Sequence, residues 1–383
     1  MANKITSIIR RCTGRKLPSL AMDALEKIYP GLWRKYLPPT SSYGGVWTLV
    51  TPDAATAALL DAIPSETTKA ERRLLYHFFR SVWDGKGSVL EVGPFLGGTT
   101  RAIALGMLHH PDRKPDTRLY TYDRFDSYYE GDELTSFVDP LFDKGLLKLK
   151  DREHIMKTAS FEEIFHKVHE GHAYNELIQC TNGPLPDAPE EESQIKVIFT
   201  PPANRDLTAV FIDGCKSWFG TRYFMEKVSA TSKPGTWFIA QDYSQYTCFW
   251  LPLFFDEFQD AFDLHLYVDS TYCFQLKRAI TAEEILKRFP ADPDSWGQRK
   301  INELFQRLIQ KAGDRDDQRS RVVYTMQWAA ALTYMGLRDE ARRVFDELSA
   351  ASWTYGSESF IQTARKNPTY KARMNGIEQI YLD

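Results

Sequence analysis

The sequence predicts an α/β protein built on a mostly parallel sheet, with an antiparallel terminal strand and helical extensions at both ends. Three observations support this. A short apolar run ends in a glycine-rich turn before a helix, later apolar runs alternate with helical periodicity, and a final pair of runs is split by Asp-Ser-Thr. Apolar runs that alternate with helices are typical of parallel sheets. The 383 residues fit one such domain with added helices.

The glycine-rich turn lies in residues 87–100, which read GSVLEVGPFLGGTT. Glycine in such a turn allows positive φ and leaves the backbone open to a ligand. The helix that Thr99 and Thr100 begin offers free N–H groups to a carboxylate or phosphate. The spacing matches neither G-x-G-x-x-G nor a phosphate-binding G-K-[ST]. An α/β turn that binds no ligand remains the alternative.

The same turn resembles the first motif of class I S-adenosylmethionine-dependent methyltransferases, in the variant E-x-G-x-x-x-G-G-[ST]-[ST]. That variant is common in the branch that O-methylates sugars and other small molecules. The resemblance implies a Rossmann-like methyltransferase sheet and S-adenosylmethionine as the cofactor. The cofactor-binding residues that it implies in this stretch are Glu91, Gly93, Phe95, Gly97, Gly98 and Thr99.

The second strand is predicted over residues 119–122 and ends at Asp123, which follows Glu91 by 32 residues. An acid at this position accepts hydrogen bonds from ribose hydroxyls in Rossmann-like folds. The alternative for Asp123 is a loop carboxylate. The third strand could be residues 177–180 or residues 195–199, and the acidic segment 184–192 looks like an exposed insertion.

The fourth predicted strand is followed by Asp213-Gly-Cys-Lys216-Ser-Trp218, and the fifth by Gln241-Asp242-Tyr243. Since parallel strands end at one edge of a sheet, carboxylates should crowd one rim there. Crowded carboxylates favour a cationic ligand, and a sulfonium cofactor is cationic. The four acids expected at the rim are Glu91, Asp123, Asp213 and Asp242. We assign Asp213 to cofactor binding, in addition to Glu91 and Asp123.

The resemblance extends over residues 66–279, where relatives commonly read I-D-G-D-H-S-Y and D-D-Y after strands four and five. The K-S-W and Q-D-Y forms found here look closer to a bacterial group of methyltransferase-like proteins. Lys216 replaces the family's histidine base, and one of two paired acids is missing. We therefore predict Asp242 as the base and no metal, while Lys216 steadies an alkoxide, acts as base if burial lowers its pKa, or forms only an ion pair. Nearby aromatic residues could form a sugar-stacking wall or pack in the core: Trp218, Tyr243, Tyr246, Phe249 and Trp250.

Metal-binding residues are sparse elsewhere. His166, His169 and His172 are three apart, which predicts a solvated helix ending at Gly171, with a metal site as the alternative. Five scattered cysteines without C-x-x-C spacing indicate neither zinc nor a disulfide framework, and they fit a reducing compartment.

We divide the chain into a helical, basic N-terminal arm (1–64), a methyltransferase-like domain (65–280) and a helical extension (281–383) with one tetratricopeptide-like helix pair. Residues 1–40 hold eight Lys and Arg against two acids, so the arm could touch an anionic membrane. No transmembrane segment is predicted, and the net charge of −3 argues against nucleic-acid binding. We expect a cytoplasmic protein whose extension packs on the main domain or forms a homo-oligomer.

Two functions follow from these observations. The first is S-adenosylmethionine-dependent O-methylation of a hydroxyl on a sugar or other small polar metabolite. The second is a methyltransferase fold that transfers no methyl group and binds a nucleoside-like ligand or a protein partner.

Overall fold

The computed structural model describes residues 51–125, 131–148, 150, 160–196, 198–202, 207–354, 357–373 and 376–382. Of the predicted N-terminal arm (1–64), residues 1–50 lie outside these ranges, and residues 51–64 are described. Nine strands are described: β1 (Ser88–Val92), β2 (Arg118–Asp123), β3 (Ile178–Asn182), β4 (Leu207–Ile212), β5 (Ser232–Ala240), β6 (Phe262–Val268), β7 (Thr271–Leu276), β8 (Thr369–Arg373) and β9 (Gly376–Ile380).

Twelve α-helices are described in the same ranges, together with four short 3₁₀ turns. They are α1 (Ala54–Leu60), α2 (Lys69–Ser81), α3 (Gly98–Leu108), α4 (Gly131–Asp143), α5 (Glu162–His169), α6 (Trp218–Ser229), α7 (Trp250–Glu257), α8 (Ala282–Arg288), α9 (Gly297–Asp314), α10 (Gln318–Tyr334), α11 (Arg338–Ala350) and α12 (Glu358–Lys366). No helix among the described residues is both long and apolar enough to span a bilayer.

The first seven strands form one sheet in the order β3-β2-β1-β4-β5-β7-β6. All neighbouring pairs are parallel except those of β7, which runs antiparallel to both β5 and β6. The strand order reverses between β1 and β4, and ligands bind at such reversals in open α/β sheets. The predicted fold class, a Rossmann-like methyltransferase sheet with an antiparallel terminal strand, is confirmed by this topology.

The antiparallel strand is last in the sheet's sequence order, as predicted, but it lies one place in from the edge, which β6 occupies. For the third strand, the first of the two alternatives is right, since β3 pairs with β2. The segment Lys233-Pro-Gly235, a sequence typical of a turn, is part of β5. The register of the β4–β5 pair shifts at this segment, since Leu207 of β4 pairs with Ser232 and Ala209 pairs with Trp237. Within the shift, Gly235 has φ +97°.

Residues 281–366 are largely helical, as predicted, and they share a hydrophobic core with the sheet. Trp218 of α6 stacks on Phe289 with ring centroids 4.0 Å apart. The buried Gln327 of α10 donates to the backbone carbonyls of Tyr243 and Gln245, both at 2.9 Å. The extension is therefore joined to the turn that follows β5, while self-association stays a prediction.

The end of the extension departs from the helical prediction, because β8 and β9 form an antiparallel hairpin. Its register pairs Thr369 with Ile380 and Arg373 with Gly376. Alternating residues in β8 are too few and too mixed in polarity to predict a strand by period.

A buried carboxylate connects α2 to the connection between β6 and β7. Glu71 is 2% exposed, and its side chain accepts from the Thr68 N–H (2.7 Å), the Ser270 N–H (2.9 Å) and the Thr271 hydroxyl (3.0 Å). Thr68 also donates to Asp269 at 2.6 Å. These bonds fix the chain entering α2, which includes Ser65 to Thr67, above the carboxyl edge of the sheet.

We predict that Glu71→Ala lowers the free energy of unfolding by about 2–4 kcal/mol, because three donors lose their acceptor in a buried site. Urea unfolding measures the change. Glu347→Ala removes a 62% exposed acid that forms an ion pair with Arg343, and it should cost at most about 0.5 kcal/mol. Equal losses in the two variants would contradict the role given to Glu71.

Candidate cofactor and active site

A cleft opens at the carboxyl ends of β1, β2 and β4, with a volume of about 1090 Å³ including its open mouth. Distant parts of the chain line it: Ser65–Thr67 before α2, the turn after β1, the residues after β2, β3 and β4, and the β8–β9 hairpin. Of the predicted site residues, the structure brings six to this wall. They are Gly93, Phe95, Thr99, Asp123, Asp213 and Lys216.

The turn glycines are also needed for packing, and two of them have the predicted positive φ. A Cβ on Gly93, which has φ +81°, would lie 2.7 Å from the carbonyl carbon of Asp213. On Gly97, at φ +90°, it would lie 2.2 Å from Nε2 of His169, and on Gly98 it would lie 2.8 Å from Cβ of Ser65. Gly97 and Gly98 are not among the residues that line the cleft.

Glu91 is also absent from the lining, although it was predicted to bind the cofactor. Its side chain is fully buried, and its two carboxylate oxygens accept from the hydroxyls of Thr99 and Thr100, each at 2.7 Å. Burial raises the pKa of Glu91 to about 7. The carboxylate therefore joins the end of β1 to the first turn of α3 and acts behind the cleft wall.

Asp123 lies where the ribose-binding acid was predicted. Its Oδ2 accepts from the N–H of Phe95 and its Oδ1 from the N–H of Phe125, both at 3.1 Å. Burial raises the pKa of Asp123, while these backbone donors oppose the shift. The two bonds fix the plane of the carboxylate at the cleft, and each oxygen keeps a lone pair for a further donor.

Lys216 follows β4, where Ser217 caps α6 by accepting from the N–H of Gly220 at 2.8 Å. The ammonium donates to Asp213 at 2.7 Å, to Gln241 at 3.4 Å, and to Asp242. The two successive strand ends therefore do bring Lys216 and Asp242 together, as their positions in the sequence predict.

The two ion pairs of Lys216 favour its charged form over the form that its predicted alternative role as a base requires. Burial alone would lower its pKa, but Asp213 and Asp242 outweigh burial and hold it well above the usual value. Lys216 is thus an ammonium at neutral pH. Burial and the neighbouring Asp242 raise the pKa of Asp213, while Lys216 opposes the rise.

Asp242 contacts Lys216 but is not itself among the residues that line the cleft. Its backbone has φ +59°, a conformation that costs energy in a residue with a Cβ. The strained turn after β5 directs this carboxylate towards Lys216.

Core packing, the alternative given for the aromatic residues around strands four and five, is what the structure shows. None of the five lines the cleft, and four of them are at most 4% exposed. The rings that do line it belong to Phe95, Tyr122 and Phe161.

The histidine prediction is wrong for one of its three members. His169 is 1% exposed at the end of α5, where its Nδ1 lies 3.3 Å from the hydroxyl of Tyr174. Its ring fills the space beside Gly97. Among the described residues, no group of three or more His, Cys, Asp and Glu has a metal-binding arrangement.

Sequence reasoning missed four charged residues of the cleft. Glu66, Arg124, Asp187 and Arg373 all line it. Asp187 belongs to the segment predicted as an exposed insertion, yet neighbouring Ala188 and Glu191 are buried. No local motif marks these positions. Arg124 directly follows the last residue of β2, and the other three reach the cleft from a loop or from the β8–β9 hairpin.

No family model matches the chain, and no curated protein matches its sequence. Similar solved structures include the O-methyltransferase NovP, at 17% identity and a TM-score of 0.34 over 54% of this chain and 78% of that one. CalS11, described as a TDP-rhamnose 3'-O-methyltransferase, is 10% identical, with a TM-score of 0.36 and the same coverages. SAH-bound PaMTH1 from Podospora anserina is 12% identical, with a TM-score of 0.32 over 60% and 88%.

The buried Glu91 generates a pH prediction. Since its pKa rises on folding from 4.5 to about 7, the folded protein binds a proton more tightly than the unfolded chain does. The stability gained from that proton is fully present below about pH 4.5 and is lost as the pH rises through about 7. The contribution of Glu91 to the free energy of unfolding falls by about 2–4 kcal/mol over this pH range.

Glu91→Gln keeps the shape of the protonated side chain and cannot ionise. We predict that the stability difference between wild type and Glu91→Gln shifts in favour of the variant as the pH rises from 5 to 8. Chemical unfolding at several pH values measures this difference, in which other titrating groups cancel. Parallel stability curves for the two proteins would show that Glu91 does not titrate in this window.

Proposed function

We propose that this protein is an S-adenosylmethionine-dependent methyltransferase that modifies a hydroxyl group of a sugar or other small polar molecule. One observation carries the proposal. The cleft at the strand-order reversal joins the Gly93–Phe95 turn, the backbone-held Asp123 and the Asp213–Lys216 pair on a single wall.

The residues of the cleft fit the cofactor. The backbone of Gly93 and Phe95, with Thr99 at the start of α3, suits the methionine end. Asp123 has the lone pairs that ribose hydroxyls need, and the nearby ring of Phe161 provides an apolar surface. When bound, S-adenosylmethionine supplies an electrophilic methyl group on a sulfonium. The cleft is lined by four carboxylates and three cationic side chains. This excess of acidic groups suits the positive charge of the sulfonium.

The chain's own contribution to the reaction comes from Asp213, Lys216 and Asp242. Methyl transfer to a hydroxyl requires alignment, exclusion of water and removal of one proton. The Lys216 ammonium stabilises a developing alkoxide. One of the two carboxylates, Asp213 or Asp242, takes the proton of the acceptor hydroxyl. We assign this role of base to Asp242, which Lys216 holds beside the cleft. The raised pKa of Asp213, which does line the cleft, makes it the second acceptor for a proton.

The second candidate, a methyltransferase fold without methyl transfer, is favoured by one feature. Lys216 is an ammonium bonded to two carboxylates, which is also how a purely structural ion pair looks. Calorimetry with S-adenosylhomocysteine, followed by a turnover assay with sugar acceptors, separates the candidates. Binding with turnover supports the enzyme, and binding without turnover on any acceptor supports the alternative.

We predict that Asp123→Ala weakens S-adenosylhomocysteine binding by about 1–3 kcal/mol, the scale of a lost hydrogen bond to a charged group. Isothermal titration calorimetry measures the change. Asp116→Ala, in the exposed loop before β2, serves as the matched control and should bind like wild type. Unchanged affinity in a folded Asp123→Ala protein would remove this residue from the cofactor site.

We predict that Lys216→Met and Asp242→Asn each lower turnover by at least about 100-fold while the dissociation constant of S-adenosylhomocysteine changes less than threefold. The loss of stability should stay near 1–2 kcal/mol, because all three side chains keep about a fifth to a quarter of their surface in water. Lys227→Met breaks a similar pair on α6, outside the cleft, and should retain full activity.

A stability loss of 3–5 kcal/mol in either variant, with turnover retained, would identify the cluster as a structural ion pair. Turnover is followed as S-adenosylhomocysteine release with glucose, glucuronate and glucose 1-phosphate as acceptors, and stability by urea unfolding.

A further inference from the structure

The β8–β9 hairpin contributes a wall to the cleft although it follows the seven-stranded sheet by more than 90 residues. Four of its residues line the cleft, namely Ala372, Arg373, Gly376 and Ile377. The roles predicted for the extension do not involve the cleft. The presence of the hairpin in the cleft lining therefore indicates a role that the sequence motifs do not.

The hairpin is firmly attached at both ends. At its start, Thr369 is fully buried and its hydroxyl donates to the carbonyl of Thr247 at 3.4 Å, while the ring of Tyr370 meets Trp250 edge-on at 5.7 Å. After its end, Leu382 is fully buried and its carbonyl accepts from Arg342 at 2.9 Å. The wall is thus a built part of the cleft.

Arg373 places a guanidinium in this wall. Within the described residues, no carboxylate lies in ion-pair distance of it, and its guanidinium donates to the carbonyl of the neighbouring Ala372 at 3.4 Å. Asp187, on the same cleft, interacts with Arg373 only electrostatically. Lys216, by contrast, already forms ion pairs with Asp213 and Asp242.

The position of Arg373 associates it with the acceptor half of the cleft. The hydroxyl of Tyr370, three residues before it on β8, lies 3.8 Å from Sγ of Cys248, and Asp187 lies beside Ser217 and Gly220 at the start of α6, next to Lys216. Asp123 and Phe95, which fit the cofactor, lie on β2 and the turn after β1. A guanidinium on this side matches the planar, two-oxygen geometry of phosphate and carboxylate.

We propose that the β8–β9 hairpin forms the acceptor wall of the cleft and that Arg373 binds an anionic group, phosphate or carboxylate, on the acceptor. The proposal rests on the proposed function, because it assigns the substrate class of the same site. Arg373 holds the acceptor by its anionic group, and the hydroxyl to be methylated lies at the Lys216 end.

The test uses the full chain and calorimetric titration of four probes, each with and without saturating S-adenosylhomocysteine. The probes are glucose, glucose 1-phosphate, glucuronate and inorganic phosphate. Wild type is compared with Arg373→Gln, with Arg373→Lys as the charge-conserving variant, and with Lys371→Gln. Lys371 lies on the same strand but outside the cleft lining, with its ammonium over the ring of Tyr334.

We expect glucose 1-phosphate or glucuronate to bind wild type at least tenfold more tightly than glucose does. Arg373→Gln should remove this preference, Arg373→Lys should keep part of it, and Lys371→Gln should behave like wild type. Preference for glucose 1-phosphate identifies a phosphorylated acceptor, and preference for glucuronate identifies an acidic sugar. Inorganic phosphate that binds as tightly as glucose 1-phosphate would indicate a free-anion site and would overturn the acceptor role.

The proposal is also overturned if neither anionic sugar binds wild type more tightly than glucose, or if Arg373→Gln keeps the preference. The S-adenosylhomocysteine titration in the same series tests the proposed function separately. If the cofactor product binds and the anionic preference is absent, only the assignment of Arg373 fails. If it does not bind, the methyltransferase assignment fails, whatever the sugars do.

Discussion

The close approach of two backbone turns determines the geometry of the whole site. Gly93, after β1, and Gly214, after β4, touch each other's backbone, and a Cβ at either position would lie within 3.0 Å of the other segment. Because both turns leave the sheet at the strand-order reversal, this contact brings the glycine turn beside Asp213 and Lys216. A side chain at Gly93 would push apart the two halves of the cleft.

The local part of this architecture can be predicted from the sequence. Ser88–Val92 and Asp123 are found where their patterns place them, because apolar runs, glycines and strand-end acids act over a few residues. The start of β5 was missed, since Lys-Pro-Gly is typical of a turn and only pairing with β4 keeps it extended. The state of Lys216 depends on two carboxylates from different strands, which no window of sequence contains.

The burial and contacts of single side chains could not be predicted, because they also depend on residues far apart in the sequence. His169 lies on a helix whose spacing looks amphipathic, but its ring fills the space that Gly97 leaves, so its burial follows from a distant glycine. Glu91 matches a cofactor motif, yet its role is to hold the two threonines that start α3. Motif residues thus include both those that face a ligand and those that shape the turn, and a motif alone does not separate them.

The attachment of the hairpin at Thr247 and Trp250 has a consequence for synthesis. Chains fold from the N-terminus while still on the ribosome, and contacts between segments far apart in sequence form last. A nascent chain that has released β1 to β7 can assemble the sheet and the glycine turn. Its cleft stays open on one side until residues 369–382 leave the exit tunnel and dock. The hairpin side of the cleft is therefore completed late, so that incomplete chains form only the part of the cleft built at the strand ends.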